Sequence, residues 1–121
     1  MAIQATLPLN TFKSLVHDIT SSPTTVYTCP AGVTTVVLLS QVSNIHSSNT
    51  VYVSAYISRG SVILDTFVNT YLIKNFPVPI NDATSILTGK LILQENDNFV
   101  IYGSANNTAQ FVLSYLETAN A

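Results

Sequence analysis

Apolar side chains recur at every second position along most of this chain, and no window carries a capped helical stripe. A period of two belongs to the β-strand, whose successive side chains point to opposite faces. In 50–58 (TVYVSAYIS), Val51, Val53, Ala55 and Ile57 share one face, and Tyr52, Ser54, Tyr56 and Ser58 share the other. That pattern predicts a half-buried antiparallel strand. Residues 33–43 (VTTVVLLSQVS) form the longest such run and predict a central strand. In 110–117, Phe111, Leu113 and Tyr115 alternate with Val112, Ser114 and Leu116, so both faces of the last strand are expected to be covered.

Turn chemistry divides the runs. Cys29-Pro30-Ala31-Gly32 reads as a turn, with proline fixing φ and glycine free to take a positive value. Arg59-Gly60 reads as a tight hairpin joining 50–58 to 61–67, and Asn106-Asn107 as a second hairpin before the last strand. Glu95-Asn96-Asp97-Asn98 is a third turn, and 44–49 (NIHSSN) a longer polar loop. The remaining strands are expected near 12–19, 24–29, 70–74, 84–88, 90–94 and 99–105, some of them merging to leave eight or nine. In 75–82 (NFPVPIND) two prolines hold the chain extended without donors, which suits a crossover or an edge that accepts no further strand.

These runs predict one all-β domain, an antiparallel β-sandwich of jelly-roll or immunoglobulin-like topology. Residues 1–22 are read as an extended N-terminal arm with the first strand, and 23–121 as the body of the sandwich. The arm carries Leu7 and Leu9 around Pro8, an apolar docking candidate.

The surface of such a sandwich is unusual. Only ten of 121 residues are charged, whereas a lone domain usually keeps about a quarter. Ser, Thr and Asn supply thirty-nine positions instead. The net charge of −2 offers little colloidal repulsion, so the chain is expected to associate. The four basic residues, Lys13, Arg59, Lys74 and Lys90, are scattered, which argues against nucleic-acid binding by phosphate neutralisation. No run reaches the roughly 18 apolar residues of a spanning helix. The start MAIQATLPLN lacks the basic and apolar regions of a secretory signal, so synthesis in a cytoplasm without secretion is expected.

Catalytic and metal chemistry find few candidates. His17, His46 and Cys29 show no ligand spacing. Cys29 ends an apolar strand, where a small buried hydrophobe is the expected role. Glu95 and Asp97 fit turn and solvation roles, Asp82 fits a local cap, and Asp65 is placed to pair with Lys74 across a hairpin. No catalytic, cofactor or metal residue is therefore assigned. The tyrosine face of Tyr52 and Tyr56 remains open to two readings, an interface or sugar platform and plain cross-strand packing. Candidate interface residues are Leu7, Leu9, Tyr52, Tyr56 and Phe76.

Three stretches together resemble a family of small virion structural proteins of tailed bacteriophages, notably large marine and cyanobacterial phages. They are 25–35 (TVYTCPAGVTT) with the strand ending at Val42-Ser43-Asn44, 75–83 (NFPVPINDA), and 87–97 (LTGKLILQEND) leading to 113–117 (LSYLE). Cys29 departs from the small or aliphatic residue expected there. The resemblance implies a place on the virion after synthesis in a host bacterial cytoplasm. The implied role is capsid decoration or cement, or else a neck, tail or adsorption component with a carbohydrate- or receptor-binding sandwich. It implies the major capsid protein or neck and tail proteins as partners, and transfers no catalytic residue. Faces so poor in charge are also expected to be buried in a symmetric homo-oligomer, a dimer or trimer.

Overall fold

A computed structural model describes residues 10–46, 48–61 and 66–120. Leu7, Leu9 and Asp65 lie outside the described residues, and with them the proposed arm contact and the Asp65–Lys74 pair. Nine strands occur among the described residues: β1 (Asn10–Asp18), β2 (Thr24–Thr28), β3 (Val33–Asn44), β4 (Val51–Ser61), β5 (Thr66–Val78), β6 (Ala83–Ser85), β7 (Leu91–Leu93), β8 (Asn98–Gly103) and β9 (Ala109–Ala119). One sheet has the order β1-β9-β3-β6, with β7 also pairing β3. The other has the order β2-β8-β4-β5.

The pairing resolves the topology. β1 pairs β9, β2 pairs β8, β3 pairs β6 and β7, and β4 pairs β5, all antiparallel. The chain is thus one long hairpin rolled over itself. The β3–β9 and β4–β8 pairings then close each sheet. This is the jelly-roll alternative of the two expected sandwiches.

Apolar alternation supplies the core between the sheets. Val51, Val53 and Ala55 of β4 point inward with Phe99 and Ile101 of β8, and all are buried. From the facing sheet come Val37 and Val42 of β3 and Phe111 and Leu113 of β9. The Phe99 and Phe111 rings stack across the gap with centroids 5.6 Å apart.

The turns at Cys29–Gly32, 95–98 and 106–107 fall where the residues predict, but each crosses from one sheet to the other. The Cys29–Gly32 turn joins β2 to β3 in the other sheet, and the Asn106-Asn107 turn joins β8 to β9 in the other sheet. The Asn106-Asn107 link is therefore an arch between sheets and not a hairpin. Gly32 takes φ 76°, and Asn81, Asn96 and Asn107 take φ 60°, 66° and 57°, values that glycine and asparagine tolerate best.

Arg59-Gly60 is not a turn. Both residues stay in β4, opposite Val68 and Phe67 of β5. The Phe67 ring lies over Gly60 so closely that an added Cβ would stand 2.9 Å from Cε1. Of the expected strand 61–67, Ser61 ends β4, and residues 66–67 continue through 70–74 and the start of 75–82 as one strand, β5, on the edge of its sheet. Pro77 is paired opposite Tyr52 there, so of the two readings for this proline-spaced segment the edge applies.

Candidate interaction surfaces

Asp97, Glu95, Cys29 and His46, among the polar residues weighed for chemistry, are engaged in structural hydrogen bonds, whereas the buried Nε2 of His17 has no partner among the described residues. Asp97 is 1% exposed and receives Arg59 bidentately, Nε at 2.8 Å from Oδ1 and Nη2 at 2.6 Å from Oδ2. The Gln94 amide also donates to Asp97 Oδ2 at 2.8 Å. Burial pushes this carboxyl up, but Arg59 and the Gln94 amide outweigh it and hold the group below its ordinary value. Glu95 turns the other way: its Oε1 accepts from the Gly32 amide at 3.0 Å and from Asn120 Nδ2 at 3.1 Å. The two neighbouring carboxylates thus serve separate anchors.

A second polar network sits at the edge of the core. The Tyr27 hydroxyl donates to Glu117 and shares a 2.7 Å hydrogen bond with Thr35 Oγ1. Lys13 Nζ lies 2.8 Å from the same carboxylate. Cys29 is fully buried, with Sγ 3.2 Å from Thr35 Oγ1, and burial pushes its thiol up. His46 orders its own loop, with Nδ1 accepting the amides of Ser48 and Asn49, each at 3.1 Å. Among the described residues no group of three His, Cys, Asp or Glu side chains could hold a metal ion, and no helix is long and apolar enough to cross a membrane.

The tyrosines separate. Tyr52 and Tyr56 lie on the same side of β4, but buried Ser54 stands between them. The Ser54 hydroxyl accepts the Asn75 amide at 2.9 Å, where β5 bulges with Asn75 at φ 50°. Tyr56 packs on Tyr71 at 5.0 Å and Tyr102 at 6.5 Å, while Lys74 caps the Tyr71 ring at 5.0 Å. Tyr52 instead lines a recess with His46, Asn49, Ser104 and Thr108 at one end of the sandwich. Phe76 is partly exposed on the edge strand β5.

A further exposed surface, which neither the candidate residues nor the motifs indicate, is the outer face of the β1-β9-β3 sheet. Register aligns its side chains in rows. Phe12, Leu116, Val36 and Ile92 form one row across four strands. Ser14, Ser114 and Leu39 form the next, and Val16, Val112 and Gln41 the third. Phe12 is 74% exposed, Val16 79% and Ile92 50%, and Leu38 and Leu39 protrude at a bulge in β3. The expectation that both faces of β9 are covered is corrected here. Phe111, Leu113 and Tyr115 are buried, but Val112, Ser114 and Leu116 are shielded only in part. Alternation of apolar residues on both sides of β9 was the available signal. It showed that both faces are apolar, but not whether this chain supplies both covers.

No protein-family model and no curated protein matches the chain. Among solved structures it is similar to a chain of the Bacillus endospore appendages, a family of disulfide-linked pili, with TM-score 0.51 and 9% identity over 100% of this chain and 98% of that one. It is also similar to a chain of the T13 particle of infectious bursal disease virus, with TM-score 0.55 and 8% identity over 93% of this chain. The chain spans 32% of that viral chain. At such identities the likeness establishes the fold, an all-β sandwich.

Proposed function

We propose that this protein is a non-enzymatic structural subunit of a tailed-bacteriophage virion, decorating or cementing the capsid. The observation that carries the reading is the uncharged apolar outer face of the β1-β9-β3 sheet on a small domain. Exposed apolar patches of this kind mark interaction sites, and a copy-rich lattice multiplies weak contacts. Asp97, Glu95 and Cys29, which could have joined a catalytic set, are engaged in structural bonds. Two solved relatives in fold belong to a virus particle and to pili, both assemblies of protein subunits. The disulfide linkage named for the pili does not carry over, because the single cysteine, Cys29, is buried.

Gold labelling of intact particles with an antibody to this protein tests the reading. Label spread over the head is the expected result. Label confined to the neck or tail replaces capsid decoration with a connector or adsorption role, and particles without label overturn the virion assignment.

A further inference from the structure

We infer that the outer face of the β1-β9-β3 sheet is where a second copy of this chain docks, sheet on sheet, about a two-fold axis. This deepens the structural-subunit reading and rests on it.

The face has the anatomy of an interface. Its three central rows hold Phe12, Leu116, Val36, Ile92, Leu39, Val16 and Val112 around the small Ser14 and Ser114, with Gln41 at the end of the Val16 row and no charged side chain among them. Polar rows bound it on either side. Asn10, Thr118 and Thr34 lie beyond the Phe12 row, and Asp18, Gln110 and Ser43 beyond the Val16 row. An apolar centre inside a polar rim is the usual composition of a buried contact.

An identical face is the partner that this surface fits best. It brings no buried charge to desolvate, and two such faces exert no mutual repulsion. The row pattern is also self-complementary. A two-fold axis across the strands, through the Ser14–Ser114 row, sets the Phe12 row of one copy over the Val16 row of the other. Size agrees. Three long strands about 4.8 Å apart, with the three-residue β7 beside them at one end, and the nine residues of β1 at about 3.4 Å each make a face of roughly 15 to 19 by 30 Å in plan. Side-chain relief brings its accessible area towards the roughly 800 Å² per partner of a standard stable interface. Sheets stacked in this way pack about 10 Å apart with interleaved side chains.

Sedimentation velocity of the full chain from micromolar to near-millimolar concentration tests this, with Phe12→Lys and Val16→Lys as probes. Both side chains are mostly exposed, so the variants keep the wild-type circular dichroism spectrum and cooperative melting. Thr25→Lys, exposed on the opposite sheet, is the control. The expected result is a wild-type dimer, a dissociation constant raised at least about tenfold by either lysine, and no change with Thr25→Lys. A dimer indifferent to both lysines overturns the docking face while leaving self-assembly intact. A wild-type monomer at every concentration also overturns it. If particle binding is then lost in Phe12→Lys, the face belongs to a different protein, and the virion reading stands or falls on gold labelling alone.

Discussion

At the residue scale, charge is scarce and used for anchoring. Asp97 is buried and ionised because Arg59 and the Gln94 amide fill its acceptor sites. An ionised carboxylate without such partners would not remain in that position. Asp97→Asn removes the bidentate pair and leaves Arg59, itself half exposed, without its counter-ion. Because solvent screens that arginine, the expected loss is about 2 kcal/mol at neutral pH, below the roughly 3–5 kcal/mol of a fully buried broken pair. The pH dependence follows from the lowered values of Asp97 and Glu117. A group whose folded value is depressed stabilises the fold fully above its unfolded value, near 4 for a carboxylate, and loses that stabilisation as pH falls through the folded value. Urea denaturation at several pH values should therefore show the gap between wild type and Asp97→Asn holding from pH 7 to about pH 5 and closing below about pH 4. A gap that is constant down to pH 2 would mean that the carboxylate charge contributes nothing. Sequence alone hid this role. Asp97 lies in a turn-like tetrapeptide, and its partner is 38 residues away. The same applies to Glu117, which takes Lys13 and Tyr27 from the N-terminal part of the chain, Tyr27 being 90 residues away.

At the scale of elements, strands were legible and their destinations were not. Alternation located β3, β4 and β9 to within a few residues, because one buried face imposes a period of two. Asparagine and glycine marked reversals correctly at Gly32, Asn96 and Asn107. A reversal that returns to the same sheet and one that crosses to the other use the same residues, however, so Asn106-Asn107 read as a hairpin. Arg59-Gly60 misled for a different reason. Glycine there accommodates the Phe67 ring of the neighbouring strand and not a turn. The apolar outer face was half legible, since Val112 and Leu116 stand out in the sequence but their rows with Phe12 and Ile92 need the register. What joins the elements is chiefly the contact between sheets. Phe99 on β8 and Phe111 on β9 meet there, both fully buried. Phe99→Ala empties that contact, and a loss of about 3–5 kcal/mol in chemical denaturation is expected. Phe99→Leu keeps most of the volume and should lose clearly less. Equal losses would show that the ring is not packed as described.

At the scale of the whole molecule, the jelly roll pairs its first and last described strands. Asn10 stands opposite Thr118, and Asp18 opposite Gln110. β2 and β8 repeat the arrangement one layer further in, and among the described residues only the β4–β5 pairing is local. Each outer pairing must close a long loop before it gains any contact, so folding is expected in the slow range of all-β proteins, milliseconds to seconds. The same geometry offers a direct test, because β1 and β9 run antiparallel as neighbours. A permutant can join residue 120 to residue 10 through a short glycine-containing linker and open the chain between Asn106 and Asn107. It keeps every strand pairing and makes β9–β1 a local hairpin. If topology sets the rate, stopped-flow refolding of this permutant is several-fold faster than that of wild type, with nearly unchanged unfolding. Stability should then be equal or slightly higher, less what the Asn106 bonds to Ser21 contributed. An unchanged refolding rate would place the rate-limiting step elsewhere, in the β3–β9 and β4–β8 pairings that seal the two sheets after the roll has formed.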